Sequence, residues 1–493
     1  MATMPLPNRI LVIGGGPSGL VTLRNLIEYG KFERVELYER RDDVGGVWYY
    51  DDAAAVSNPV PTFAKGDATS ALAPPRWPSP AYEGLVGNVL PEYLSFTGAP
   101  FPEPPSTPLQ PFPTLTETHD YLRTFAAPYL ETGAIKVNRE VVRISESEDG
   151  RWRVLSKNWT VGESHYGEEV EEIWDAVVVA VGWYDNPVWP NTPGLDELRT
   201  LGLAKHAKWW RNAKGYENKK VLVIGNANSG NDIASQLTKV ARLPVYQSIR
   251  RPAFFNYPSL EDKRIDKVAP VAQYILKPND SFVKASPNKF DALLTDGTLL
   301  ADLDSVQVAT GYRPFPNFVH VFEQSDKANG NRKTLVPLVT EDTIPNRIPS
   351  LHRLVMYSHN PSLAFIGATL AYTPFMIADI ASTWLALAWL GEATYPSTAR
   401  GRLHFEEERL ATIQKRREAT SCPSSLMVYN ILGQDEQEYA ASLRRDIVGA
   451  RPGLDKCLPI WNDERTAIRE VMYKTKYEAL RYTRELALRH FDM

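Results

Sequence analysis

The sequence predicts an α/β fold of two strand–glycine loop–helix units, one inserted into the other, followed by a helical C-terminal extension. Three observations carry this reading. Residues 11–20 read LVIGGGPSGL and residues 221–232 read VLVIGNANSGND, each an apolar run breaking into a glycine-rich turn before a helix-forming segment. A second near-repeat pairs DAVVVAVGWY at 175–184 with DSVQVATGYR at 304–313. From about residue 400 onward, segments with helical spacing and charged outer faces replace the alternating pattern.

In the first unit the strand Ile10 to Ile13 leads into Gly14, Gly16 and Gly19, and Leu20 to Tyr29 follows with helical spacing. The three glycines serve three different ends, namely a tight turn, close approach of backbone to a pyrophosphate, and close contact of helix with strand. The helix N-terminus then offers free N–H groups to that pyrophosphate. A second strand, RVELYER, ends at Glu39, 25 residues after Gly14, where a carboxylate accepts from the ribose hydroxyls of an adenosine and repels a 2′-phosphate. This loop is therefore expected to hold FAD or NAD, and not NADP.

In the second unit the strand Val221 to Ile224 leads to Gly225, Ala227 and Gly230, so alanine replaces the middle glycine. The helix follows as NDIASQLTKVA, and the next strand, PVYQSI, runs into Arg250 and Arg251. The arginine pair stands at the offset from Gly225 that Glu39 has from Gly14, and guanidinium forks suit a phosphate. The second loop thus reads as a site for NADPH, and the pair of loops as one for a resident flavin and one for its reductant.

The layout is that of two Rossmann-like dinucleotide-binding domains, the NADPH domain inserted into the FAD domain. The expected bounds are 1–197 and 305–400 for the FAD domain, 198–304 for the NADPH domain and 401–493 for the extension. The stretch 53–113 is proline-rich and reads as an irregular excursion. Met376 to Leu390 is apolar but too short for a membrane span and contains Asp379, so a buried core helix is expected.

Composition narrows the partners. With 493 residues, 43% hydrophobic and 23% charged, the chain is of ordinary globular type, and a net charge of −4 gives no footprint for nucleic acid. The segment MATMPLPNR lacks a signal-type apolar core, which makes the cytosol the expected compartment. The two cysteines, Cys422 and Cys457, are too far apart for a CxxC motif, and the scattered histidines lack metal-ligand spacing, so no metal is expected.

These residues resemble the flavin-containing monooxygenase family, within the class that includes the Baeyer–Villiger monooxygenases. The resemblance spans most of residues 8–395 and rests on GGGPSG at Gly14–Gly19, ERRDDVGGVW ending at Trp48, GNANSGND at Gly225–Asp232, ATGY at Ala309–Tyr312 and LAFIGA at Leu363–Ala368. It implies FAD and NADPH as cofactors, with Pro17, Ser18, Gly46, Val47, Trp48 and Ser229 among the residues that bind them. Asn88, in GNVLPEYLSF, matches a family asparagine placed against flavin and nicotinamide, whereas the residues alone show only a Gly87–Asn88 turn.

The family signature between the two loops is matched by TLGLAKHAKWWR, which keeps Gly202, His206 and Trp210 but has Thr200 where phenylalanine is usual. Trp210 leans toward the Baeyer–Villiger enzymes and Arg211 fits neither subgroup. His206 and Trp210 are thus candidates for the domain junction or the substrate's surroundings.

The implied chemistry is reduction of the flavin by NADPH, formation of a C4a-(hydro)peroxyflavin with O2, and transfer of one oxygen atom to a small organic substrate, at nitrogen or sulfur. Baeyer–Villiger oxidation of a ketone is the alternative, and a flavin reductase or oxidase is the alternative of another class. A dithiol reductase mechanism is excluded because the first 421 residues contain no cysteine. The excursion and the helical extension are the candidates to shape a substrate pocket.

Overall fold

The first glycine loop springs from the middle of a sheet. The computed structural model describes residues 6–51, 75–103, 107, 109–251, 259–277, 288–324, 334–421 and 427–491, so the first part of the proline-rich stretch, 53–74, and Cys422 lie outside the described residues. The strand Arg9–Ile13 pairs in parallel with Arg34–Tyr38 on one side and with Ala176–Val179 on the other, in a seven-stranded sheet. Leu363–Phe365 extends the sheet beyond Ala176–Val179.

A parallel strand buried on both faces must alternate between two cores. Ile10 and Val12 pack against the helices Pro17–Tyr29 and Pro374–Trp389. Leu11 and Ile13 pack on a second sheet, in which Arg139–Glu146, Trp152–Asn158 and Glu169–Trp174 form an antiparallel meander beside Val319–Phe322. The expected core helix is therefore present, and Asp379 within it is buried.

Asp379 is buried because it is matched. Its Oδ1 accepts from Arg24 Nη2 at 2.9 Å and Asn25 Nδ2 at 2.9 Å, and its Oδ2 accepts from the Thr97 backbone N–H at 2.7 Å. Arg24 Nη1 in turn donates to the Thr97 carbonyl at 2.7 Å. A paired, fully hydrogen-bonded charge survives burial where a lone one does not.

The inserted unit has its own five-stranded parallel sheet, with Val221–Ile224 between Val245–Ser248 and Ser305–Val308. Ala204–His206 flanks Ser305–Val308, and Ile265–Val268 flanks Val245–Ser248. The expected boundaries need correction at both ends. Ser305–Val308 belongs to the inserted sheet, so the insertion runs through Val308 and does not stop at 304. Leu195 and Leu198 of the helix Leu195–Thr200 pack with Ala204, Leu222 and Val306, so the insertion also starts before 198.

The two chain crossings between units lie side by side. Asn186–Pro187 pairs antiparallel with Tyr312–Arg313, the Val188 N–H donates to the Gly311 carbonyl at 2.9 Å, and Thr310 Oγ1 donates to the Val188 carbonyl at 2.5 Å. Entry and exit thus form one short ribbon.

The extension consists of the helices Ala399–Glu418, Glu436–Ala450 and Asp463–Phe491, of which the middle one was not among the segments expected. Arg402 Nε donates to the Ser358 carbonyl at 2.8 Å, and Glu406 accepts from Arg347 Nε at 2.6 Å, which moors the first of them to the FAD-type unit. Ala440, Leu443 and Ile447 carry the second into the same core. Among the described residues, no helix is long and apolar enough to cross a membrane.

Replacing Asp379 by leucine strands the Arg24 guanidinium in this core. Asp379→Leu is expected to cost about 3–5 kcal/mol, seen as a large fall in the thermal unfolding midpoint followed by circular dichroism. An unchanged midpoint would show that the pair carries no structural weight.

Candidate functional site

Both glycine loops open into one continuous cavity of about 1530 Å³. Of the residues singled out in the sequence, Gly14, Gly16, Pro17, Ser18, Glu39, Gly46, Val47, Trp48 and Asn88 line it from one side. Gly225, Ala227, Ser229, Arg250 and Arg251 line it from the other. Gly19 and Gly230 are not lining residues and serve packing. A Cβ on Gly19 would stand 1.8 Å from the Gly14 carbonyl oxygen, and one on Gly230 would stand 2.4 Å from that of Gly225, so the helices could not approach their strands.

The first loop is held from several directions. Gly14 has φ +107°, and its N–H donates to the Tyr38 carbonyl at 2.9 Å. The Gly15 N–H donates to Glu39 Oε2 at 2.6 Å while the Arg41 N–H donates to Oε1 at 2.9 Å. The buried Glu39 carboxylate therefore fixes the loop as well as presenting its remaining lone pairs to the cavity. Gly46, at φ +58°, closes over the turn, where a Cβ would meet the Gly16 Cα at 2.7 Å. Helix Pro17–Tyr29 has Gly16 as N-cap and receives no side-chain capping hydrogen bond, which leaves its first N–H groups for an anion in the cavity.

The second loop repeats this geometry. Gly225 has φ +110° and its N–H donates to the Ser248 carbonyl at 3.1 Å. Helix Asn228–Leu237 has Ala227 as N-cap, again without a side-chain capping hydrogen bond. The Ala227 residue is exposed, whereas a Cβ on Gly16 would stand 3.4 Å from the Gly46 Cα. Asn226 Nδ2 donates to the Arg251 carbonyl at 3.0 Å and ties the arginine pair to the loop. These residues fit two dinucleotides: two uncapped helix N-termini, an acid at one second-strand end and two guanidinium groups at the other.

Asn88 lies where one segment passes from unit to unit. Tyr82 and Leu85 pack in the inserted unit's core, with Tyr82 Oη donating to Asp232 Oδ2 at 2.5 Å. Val89, Leu94 and Phe96 pack in the FAD-type core. Between them Asn88 is exposed to the cavity, and its side chain has no hydrogen bond to another described side chain.

His206 and Trp210 do not line the cavity. The His206 ring is buried among Trp189, Trp209 and Tyr312 at the crossing ribbon, and its Nδ1 accepts from the Lys208 N–H at 3.1 Å. Trp210 is buried in the inserted unit, donating through Nε1 to Gln236 Oε1 at 3.0 Å. Arg211 Nη1 donates to the Ala81 carbonyl at 3.1 Å and clamps the crossing segment. Beside the ribbon, Asp185 pairs with Arg40 at 3.0 Å and Lys208 at 2.7 Å. Burial pushes the Asp185 carboxyl up, and the two cations outweigh it, holding the group down to about 2.

The far wall draws on the extension, which the sequence offered as a candidate to shape a pocket, but none of the residues that form it was singled out there. Leu370, Tyr372, Ile431, Tyr439, Met472 and Tyr473 line the cavity, four of them from the extension. Among the described residues, every charged one lining the cavity belongs instead to the cluster around Glu39 (Arg40, Arg41, Arg139, Glu140 and Asp185) or to the Arg250–Arg251 pair. Among the described residues, no group of three or more histidine, cysteine or acidic side chains could hold a metal.

Residues 7–255 match the family model described as flavin-binding monooxygenase-like. The flavin-containing monooxygenase FMO GS-OX2 of Arabidopsis thaliana is 30% identical over 398 residues, covering 79% of this chain and 75% of that protein. The thiol-specific monooxygenase of Saccharomyces cerevisiae is 27% identical, covering 76% of this chain and 74% of that protein. Among solved structures, the S-allyl-L-cysteine S-oxygenase of Allium sativum shares the fold with a TM-score of 0.65 at 22% identity, over 95% of this chain and 98% of that one.

Burial holds the His206 imidazole down to about 3, from an ordinary 6.5. The unfolded chain binds this proton first, so the neutral imidazole's contribution to stability is complete above pH 6.5 and is lost progressively toward pH 3. His206→Gln is expected to flatten the acid-side fall of the thermal midpoint over that window. A midpoint curve parallel to that of the parent protein would contradict the assignment.

Proposed function

We propose that this chain, which belongs to the flavin-binding monooxygenase-like family, transfers one oxygen atom to divalent sulfur in an uncharged small thiol or thioether. It is a monooxygenase dependent on FAD and NADPH. Bound FAD, with NADPH as its reductant, would supply the activation of O2 that closed-shell substrates otherwise resist.

The protein's part is binding, orientation and exclusion of water. The Gly14–Ser18 loop and the helix behind it would hold the FAD pyrophosphate, and Glu39 its ribose hydroxyls. The Gly225–Ser229 loop would hold the NADPH pyrophosphate, and Arg250 with Arg251 its 2′-phosphate. Asn88, set between the two loops with both a donor and an acceptor, would hydrogen-bond at the reacting centre.

The observation that carries the choice of substrate is the segregation of charge along the cavity. At the end built from Tyr372, Tyr439, Met472 and Tyr473, no carboxylate among the described lining residues stands ready for a protonated amine, and no cation for the anionic attack a ketone needs. A neutral sulfur is a soft nucleophile that needs neither. The thiol-specific and S-oxygenase relatives support the same reading.

The test is turnover of the purified holoenzyme with NADPH, O2 and matched thioethers, thiols, amines and ketones. Sulfoxide or disulfide formation with little ketone or amine product is expected; ester formation from a ketone alone would overturn the proposal. Asn88→Ala is expected to keep bound flavin and NADPH-dependent reduction but to divert most of the reducing power to hydrogen peroxide, as measured by peroxidase assay. Arg250→Ala and Arg251→Ala are each expected to raise the KM for NADPH about 10- to 100-fold, as loss of a charge-assisted hydrogen bond of ~1.5–3 kcal/mol implies, with little change for NADH. Equal effects on both coenzymes would remove the 2′-phosphate assignment.

A further inference from the structure

The last helix of the extension crosses the junction of the two units. Lys476, on Asp463–Phe491, extends its Nζ to the carbonyl oxygens of Gly87 at 2.6 Å and Val86 at 3.4 Å. The ammonium also lies 4.9 Å above the Phe112 ring, and Asp232 of the inserted unit supplies the opposing charge. One helical turn earlier, Met472 and Tyr473 line the cavity. Two turns later, Arg484 donates to the Glu261 carbonyl at 2.8 Å in the inserted unit.

The two carbonyls lie just before Asn88 in the chain. The Asn88 side chain has no hydrogen bond to another described side chain that would aim it, so its direction follows from the backbone that carries it. The Gly87 N–H is already fixed to the Pro113 carbonyl at 2.8 Å, and Lys476 fixes the other end of that residue. A lysine half-buried between two units costs desolvation, and its charge-assisted bonds to the paired carbonyls offset that cost. Burial pulls the ammonium down to about 8 against the pull of Asp232.

We propose that Lys476 is a positioning residue: through Gly87 and Val86 it holds the Asn88 turn in place, so that the C-terminal extension sets the geometry of the reacting centre from outside both nucleotide-binding units. The consequence for oxygen transfer rests on the role given to Asn88 above, whereas the holding of the turn does not.

The test compares the full-length holoenzyme with Lys476→Met and Lys476→Arg, using hydrogen–deuterium exchange of the peptide spanning 85–90 and the fraction of consumed NADPH recovered as hydrogen peroxide. Lys476→Met is expected to speed exchange in that peptide about tenfold, the equivalent of ~1.4 kcal/mol of lost protection, and to raise the peroxide fraction. Lys476→Arg, which retains a charged donor, is expected to restore both. Unaltered exchange in Lys476→Met overturns the proposal. Faster exchange with an unaltered peroxide fraction supports the holding of the turn and overturns the role of Asn88 instead. If Lys476→Met does not fold, Lys476→Gln, a neutral donor of shorter reach, takes its place in the same comparison.

Discussion

The buried pairing of Arg24 with Asp379 constrains the whole cavity, because it joins three segments that are remote in sequence. Arg24 stands on the helix that follows the first glycine loop, Asp379 on the core helix, and both bond to Thr97, shortly after the Asn88 turn. Asn25 Nδ2 adds bonds to Ser382 Oγ at 2.8 Å and Thr383 Oγ1 at 3.1 Å. Apolar helix faces slide past one another at little cost, but sliding here would leave a charge without its partner. The register so fixed places Pro374, Phe375, Ile377 and Ala378 against the cavity, opposite the loop they could not otherwise find.

Around that fixed point the site is assembled from pieces that belong to no single unit. The crossing segment is anchored in the inserted unit by Tyr82 and in the FAD-type unit by Phe96, and Asn88 lies between. The far wall comes from the extension, and so does the ammonium over Gly87. In the proposed reading the charged ends of the cavity would meet the polar ends of two dinucleotides and the uncharged remainder would take the substrate. Charge is thereby placed where a cofactor can match it.

What the sequence revealed depended on how local the chemistry is. The glycine loops were legible because Gly19 and Gly230 answer to the Gly14 and Gly225 carbonyls of their own βα turns and Gly14 and Gly225 hold positive φ, and the core helix because no soluble surface tolerates its composition. The boundary at 305 was misread since SVQV is a buried run that suits either sheet equally, and only pairing with Val221–Ile224 decides between them. Trp210 illustrates the reverse case, as a residue in a family signature whose side chain the structure turns into the inserted unit's core. Lys476 lies in KTKYEALRYTRE, where one cation among many has no mark of its own. The wall beside it, with Met472 and Tyr473, is made by tertiary contacts with no sequence period to announce them.

The side-by-side crossings at Asn186–Pro187 and Tyr312–Arg313 bear on how the chain is made. All strands of the inserted sheet lie between residues 204 and 308, so that unit can close while the remainder is still being synthesised. The host sheet cannot, because Ala176–Val179 gains its second neighbour only with Leu363–Phe365. The host sheet can therefore be completed only after the whole guest has been made, and until then its first glycine loop lacks the helix that carries Asp379. The Asn88 turn waits longer still, for the ammonium of Lys476. Completion of the cavity is in this sense a late check on the whole chain: its walls, drawn from residues 13 to 473, can meet only when nearly every residue is in place.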